Sequence, residues 1–344
     1  MKKLLPLLLT ISLLSVNASA YGPRGHQLVG AIADRRLARN RAVARKVRRL
    51  LNGLTLERVA TLPDEIKSWN DCGSRPPSPD PVINKVRINN ELRAFLEANK
   101  CSMKPAHDEF HYTDVPVTGG EDYEDGDIGR GEFDIVKMIP FCLRVLRGEE
   151  PADNERKITK SVAVILLTHY LGDIHQPLHV GAEYFDADGN AFHPSISNHG
   201  FGDQGGNKLT LFLVNADGSS RAVGKLHSFW DSQTVNTAFG DESNGSVANR
   251  LSRQMPGQWR LNGDAETWAL QLADDAMPLA REARTRLEYR SIVIVPDEHE
   301  IKSGEAREKR PADRSYANWS ARVVRREIHK GGWRLAALLE QALR

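Results

Sequence analysis

Cysteine is scarce in this chain: Cys72, Cys101 and Cys142 are the only three among 344 residues. In an exported chain they permit at most one internal disulfide and leave one thiol over. Cys72 and Cys101 sit in polar, loop-like surroundings and Cys142 in an apolar run, so the expected bridge is Cys72–Cys101, with Cys142 buried. Long apolar runs are missing beyond the first twenty residues. Nothing there approaches the roughly 18 continuous apolar residues of a transmembrane helix, which excludes a span in the body of the chain. Net charge is small as well, +2 overall. That excludes wholesale electrostatic capture of a polyanion, though not a local basic surface. Internal repeats and low-complexity segments are also absent.

The N-terminus supplies the first positive signal. Lys2 and Lys3 form a basic start, Leu4 to Val16 is apolar, and Ala18-Ser19-Ala20 is a small-x-small cleavage site. Together they read as a secretory signal peptide, residues 1–20, rather than an anchor. The mature chain is expected to begin at Tyr21, secreted or periplasmic, with 324 residues left of 344. With Lys2 and Lys3 removed, 45 basic residues face 45 acidic ones.

Apolar residues recur at helical spacing over Leu28–Leu51, Ile135–Leu146, Ile158–Leu171, Ala265–Leu287 and Ala317–Leu343, the pattern of helices with a buried face. Loops rich in Gly, Pro, Asn and Asp are expected at 70–81, 117–132 and 181–207, and a charged one at 297–314. One alternating run, Lys208 to Val214, predicts a strand that pairs in a hairpin across Asp217-Gly218. The expected fold is all-α, a single large helical domain over 21–344 with a short β-hairpin. Arg35 to Arg49 holds eight Arg or Lys in fifteen residues. It could guide a polyanion, but a solvated helix face is the ordinary account of such a run.

The chemistry rests on histidine and aspartate spacing. Thr168-His169-Tyr170-Leu171-Gly172-Asp173-Ile174-His175-Gln176-Pro177-Leu178-His179 follows the apolar run Val162 to Leu167, and a helix apolar on all sides is buried. His169 and Asp173, four apart, share a face and can chelate one metal. Pro177 ends the helix and lets His179 turn toward the same place. His175, two residues from Asp173, faces elsewhere and is left out. Leu226-His227-Ser228-Phe229-Trp230-Asp231 repeats the spacing. One such pair is equally explained by a histidine bonded to its helical neighbour, but two pairs and a third histidine favour metal. Nitrogen and carboxylate oxygen without thiolate is the ligand set of catalytic zinc. Tyr21 to His26, Leu62 to Lys67 and Phe110 to Asp114 supply further candidates, each weak alone.

Taken together and in this order, these segments resemble the secreted zinc nucleases of the S1/P1 type, relatives of the bacterial zinc phospholipases C. The resemblance runs from Tyr21 to the C-terminal Gly331-Gly332-Trp333 region and includes Gly205-Gly206-Asn207. It implies an all-α fold holding three zinc ions. One would lie on Asp64, His111, His169 and Asp173, and a second on His179, His227 and Asp231. A third would use His26, Asp173, and the amino nitrogen and carbonyl oxygen of Tyr21. The resemblance further implies that Asp114 orients or deprotonates the attacking water and that Lys67 neutralises the phosphate. Asn207 would contact a base edge, although a turn amide after two glycines explains it nearly as well. The implied substrates are single-stranded DNA and RNA, cut to 5′-phosphate products by a monomer, with 3′-nucleotidase activity on nucleotides.

Two departures stand out. Family members usually begin with Trp where this chain has Tyr21, but only backbone atoms coordinate there. The 182–202 insertion carries His193 and His199, which a solvated loop accounts for. Two rival readings are a zinc phospholipase C and a non-catalytic zinc-binding protein of the cell envelope. Phospholipases of that kind tend to carry Glu at the position of Asp231 and a first histidine farther from the N-terminus than His26. A mere zinc binder has no reason to pair its ligands with Lys67 and Asp114.

Overall fold

The computed structural model describes residues 21–69, 83–151, 153–195, 197–254, 256–309 and 315–344. The expected signal peptide and the 70–81 loop, with Cys72 and hence its pairing, lie outside them. Cys142 is a free, buried thiol.

The interior is organised by the helix Lys160–Asp173, in which every residue from Ser161 onward is buried. Its sequence is apolar on all sides, so no face can be left to water. Thr159 caps it, the hydroxyl oxygen accepting from the Val162 amide at 3.3 Å. The helices Pro23–Leu37, Val86–Ala98, Ile135–Arg147 and Tyr316–Ala342 pack around it. The run expected over Leu28–Leu51 is two helices, Pro23–Leu37 and Arg41–Leu50. Asn40 breaks it, because its side chain caps the second by accepting from the Val43 amide at 3.4 Å.

The all-α expectation needs correction. The hairpin of Leu209–Val214 and Ser220–Lys225 does form across Asp217-Gly218, with Asp217 Oδ1 accepting from the Ser219 amide at 2.9 Å. It is, however, half of a four-stranded sheet, completed by Leu287–Val295 and Glu300–Glu308. Leu209–Val214 runs parallel to Glu300–Glu308, with Leu211 opposite Ala306. The stretch 297–314, expected as a loop, therefore contains a strand, and Leu287 begins a strand instead of ending a helix. The buried positions of Glu300–Glu308 are Ile301, Gly304, Ala306 and Glu308, of which Ile301 alone is a large apolar residue, too little to announce an apolar face. Burial of Glu308 is tolerated because its carboxylate accepts the Val214 amide at 2.9 Å and the Tyr316 amide at 2.5 Å. Those bonds tie the sheet to the start of the last helix.

Candidate metal centre

The last turn of the central helix presents His169 and Asp173. His169 Nδ1 lies 2.7 Å from the Ala60 carbonyl oxygen, which fixes the ring. Asp173 is the hub. Its Oδ1 is 3.3 Å from His26 Nε2, and its Oδ2 is 3.0 Å from His111 Nδ1 and 3.4 Å from His169 Nε2. Asp64 Oδ2 approaches the same His169 nitrogen to 3.6 Å. His26 enters from the first turn of Pro23–Leu37 and stacks on His169, ring centroids 3.8 Å apart and 10° from parallel. Gly172 leaves the space for it, since a Cβ there would stand 2.5 Å from His26 Nδ1.

The second cluster is built from turns. The Gln176 side chain accepts from the Leu178 amide at 2.7 Å and donates to Asp231 Oδ1 at 3.0 Å. His179 follows at the end of the turn Pro177–His179, its Nδ1 3.0 Å from the His111 carbonyl oxygen. The hairpin delivers His227, whose Nδ1 lies 2.8 Å from the Gly205 carbonyl oxygen. Gly205 has φ +59°, and a Cβ there would come within 2.2 Å of the Leu178 carbonyl oxygen, so only glycine fits. His227 Nε2 is 3.0 Å from His179 Nε2 and 3.5 Å from Asp231 Oδ2. Asp231 itself belongs to a π-helical turn, Phe229–Gln233, a form that often marks functional positions.

A carbonyl oxygen only accepts, so Nδ1 of His169, His179 and His227 carries the proton and each Nε2 presents a lone pair. Those lone pairs face one another and carboxylate oxygens. His169 Nε2, Asp173 Oδ1 and Asp231 Oδ2 have no hydrogen-bond partner although all three are buried. Acceptors so close together repel unless positive charge sits between them, and backbone-held imidazoles facing carboxylates are the donor set of a divalent cation. The protonation balance agrees. Burial lowers the imidazoles, His169 and His227 to about 4 and His111 and His179 well below their usual value, so all are neutral ligands near pH 7. Burial also pushes the Asp173 carboxyl well up, with Asp64's charge adding to it, and raises Asp231 likewise. A cation would restore their charged forms.

Three ligand groups thus emerge: His26, Asp64 and His169; His111, His169 and Asp173; and His179, His227 and Asp231. Within each, the ligand atoms lie inside 4.8 Å of one another. Tyr21 packs beside them. Its ring is buried, its hydroxyl donates to the His175 carbonyl oxygen at 2.8 Å, and its own carbonyl accepts from the His26 amide at 3.4 Å. Lys67 Nζ lies 2.9 Å from Asp64 Oδ1 and 3.9 Å from Asp108. Burial alone lowers this ammonium, but the two carboxylates outweigh it and hold it above the usual range. Asp114 is not a member of these three ligand groups. Its carboxyl is pushed up to about 7, by desolvation first and then by the charge of Asp203. The Asn207 amide donates to the Gln204 carbonyl at 3.0 Å, the turn role that its sequence context also allowed. His175 turns away, its Nδ1 at the Leu171 carbonyl and its Nε2 3.1 Å from Arg334. His193, in the insertion, has its Nδ1 2.9 Å from the Pro194 carbonyl oxygen and its Nε2 3.9 Å from Glu121.

Sequence reasoning missed three contributors. Gln176 lay inside the motif without a role. His107, whose Nε2 is 2.9 Å from the Pro63 carbonyl and 3.4 Å from His111 Nε2, stands four residues before His111, a spacing that was there to be read. The buried Arg284–Asp203 pair, 2.6 Å, sets the field around Asp114. It joins residues far apart in sequence and leaves no local trace.

Clustered imidazoles and carboxylates, one set at the end of a buried helix and another on turns, define a class, a mainly helical protein with ligand groups that could hold metal in a metal-dependent hydrolase. The chain belongs to the S1/P1 nuclease family, whose sequence model matches residues 21–344, and is thereby a hydrolytic nuclease. Among curated proteins it is similar to Endonuclease 4 of Arabidopsis thaliana, 25% identical over 282 residues, covering 78% of this chain and 74% of the relative. Endonuclease 3 of the same plant is 24% identical over 284 residues, covering 79% and 74%. No described helix is long and apolar enough to cross a membrane.

Proposed function

We propose that this chain is an exported, monomeric, zinc-dependent nuclease that cuts single-stranded DNA and RNA to 5′-phosphate products, with 3′-nucleotidase activity at the same site. The observation that carries this reading is the set of buried lone pairs at His169, His179 and His227, turned on one another and on Asp173 and Asp231. Asp64, His111, His169 and Asp173 would hold one ion, and His179, His227 and Asp231 a second. His26, Asp173 and the main chain of Tyr21 would hold a third. When bound, zinc supplies Lewis acidity toward phosphoryl oxygens and makes water acidic near neutral pH.

The chain's own residues do the rest. Asp114, with its carboxyl near 7, accepts a proton from the attacking water as a base poised close to working pH. Lys67, held cationic by Asp64 and Asp108, sets positive charge beside the phosphate as negative charge builds on it. Asn207 meets a base edge from the turn after Gly205-Gly206. Removal of residues 1–20 frees the Tyr21 amine, whose ordinary pKa of about 7.7–8.0 lets a metal displace its proton. The reading is tested by end chemistry. Mature protein, incubated with single-stranded DNA and with RNA, should leave 5′-phosphate and 3′-hydroxyl ends, lose activity with chelator and regain it with zinc. Ends bearing 3′-phosphate, or cleavage that survives chelation, contradict it.

A further inference from the structure

Away from the metal centre, the C-terminal helix Tyr316–Ala342, the segment 259–261 and Arg36 of the helix Pro23–Leu37 surround a cavity of about 390 Å³. Its lining includes Trp259, Trp268 and Trp333 together with Arg36, Arg260 and Arg344. Half of the chain's six tryptophans are thus gathered with guanidiniums in one place. Two of the indoles are fixed by their N–H groups, Trp268 donating to the Asn262 carbonyl at 3.0 Å and Trp333 to that of Leu251 at 2.8 Å. Arg36 lies flat enough over Trp333 to bring its guanidinium carbon 4.8 Å from the ring centroid. Trp259 is half-buried, with His329 against it, centroids 5.1 Å apart. Glu340 is the one acid on this lining.

The positive surface continues past the cavity. Lys46 Nζ donates to the Leu343 carbonyl at 2.7 Å, which joins the helix Arg41–Leu50 to the end of the chain. Arg39, Arg41, Arg45, Arg48 and Arg49 are exposed there, and none has an acidic partner among the described residues. Elsewhere Arg144, Arg250 and Arg290 are answered by Glu150, Glu242 and Glu288, while Arg221, Arg253 and Arg322 are exposed without an acidic partner among the described residues. What sets this face apart is that five such arginines fall within Arg39 to Arg49. In a chain whose charges nearly balance, a face left uncompensated is a local positive potential. Trp268 is buried and serves as the floor of the cavity, while Trp259 and Trp333 are partly exposed. Exposed indole faces stack bases regardless of sequence, and guanidiniums meet phosphates, so the combination suits a single strand whose bases are free to stack. The surface is separate from the metal centre. Arg36 and His26 are ten residues apart on one helix, about 15 Å by helix rise.

We propose that this face is a second binding surface for single-stranded nucleic acid, holding the strand several nucleotides from the bond being cut. It rests on the nuclease reading, and it makes substrate length matter. The test compares mature wild type with the variant Trp259→Ala, Arg260→Ala, Arg344→Ala on a dinucleotide and on a strand of about 30 nucleotides, longer than the roughly 4–16 that one such surface covers. The KM for the long strand should rise about tenfold, the scale of a lost base stack, with the dinucleotide KM unmoved. The salt dependence of log KM on the long strand should flatten by roughly 1.4, about 0.7 for each phosphate contact removed. Trp259→Phe, which keeps an aromatic face, should retain most of the wild-type KM. An unchanged long-strand KM overturns the proposal, and so does an equal rise for both substrates, which would mean a structural effect. If wild type cleaves neither substrate, the nuclease reading fails by itself. Fluorescence anisotropy of the labelled long strand then decides the surface: binding lost in the variant supports it, and binding equal or absent in both proteins overturns it.

Discussion

His169 with Asp173 and His227 with Asp231 share one spacing but are supported in different ways. The first pair closes a regular helix with no exposed face, and its neighbours His26, Asp64 and His111 arrive from distant segments. The second pair straddles a short helix and a π-helical turn directly after a hairpin. It is held by Gly205 and Gln176 and meets His179 across the site. The same sequence signal therefore marks a tertiary hub in one place and a turn-built side cluster in the other. Damage to the hub should spread, and damage to the side cluster should stay local.

The comparison breaks most visibly at the hub. Asp173→Asn keeps the shape but removes the charge that faces three histidines. About two ions should be lost, and activity should fall by more than the roughly 10²–10³ expected for losing one electrostatic donor such as Lys67. Elemental analysis that finds wild-type metal content in Asp173→Asn would falsify the hub assignment. Asp231→Asn should cost about one ion and leave the group around His169 loaded. Equal losses in the two variants would erase the distinction.

A smaller effect separates the two glycines. Gly205→Ala forces φ +59° on a residue with a Cβ and sets that carbon 2.2 Å from the Leu178 carbonyl oxygen. It should lower stability by about 1–3 kcal/mol, seen as a reduced thermal midpoint. Gly172→Ala meets only the His26 ring, so the ring can yield. It should weaken metal retention more than it lowers the midpoint, and the opposite ranking would contradict both accounts.

The smallest effect is read by pH in metal-stripped protein. His169 and His227 titrate near 4 in the fold and near 6.5 in an unfolded chain. Between those values the unfolded state binds more protons, so their contribution is present above about 6.5 and is lost as pH falls toward 4. Asp114 works the other way. At about 7 in the fold against roughly 3.9 unfolded, it binds more protons when native, and stability declines as pH rises through that window. Asp114→Asn should therefore raise the thermal midpoint relative to wild type at pH 7.5, with the difference fading near pH 4. A difference independent of pH would remove Asp114's burial as its cause.

The clustering of the two His–Asp pairs could be read from the sequence because helical spacing brings i and i+4 together without further knowledge, and both pairs lie on such turns. The central helix was equally plain, since a stretch apolar on every side has nowhere to go but inside. The sheet was not. Glu300–Glu308 turns Ile301, Gly304, Ala306 and Glu308 inward; it pairs on one edge with the adjacent Leu287–Val295 and on the other with a parallel partner some ninety residues away at Leu209–Val214. The same holds for Gln176 with Asp231, 55 residues apart, and Arg284 with Asp203, 81 apart. Such pairs are written in packing, and no local pattern carries them.

The most direct test of the account is a metal count on correctly processed protein that begins at Tyr21, confirmed by mass spectrometry, beside a form with one extra Met ahead of it. An amide replaces the amine in the extended form and is a poor zinc ligand. The account predicts about three zinc ions per chain in the first and about one fewer, with most activity lost, in the second. One zinc or fewer in fully active protein would contradict the multinuclear site, and equal zinc and activity in both forms would remove Tyr21 from it.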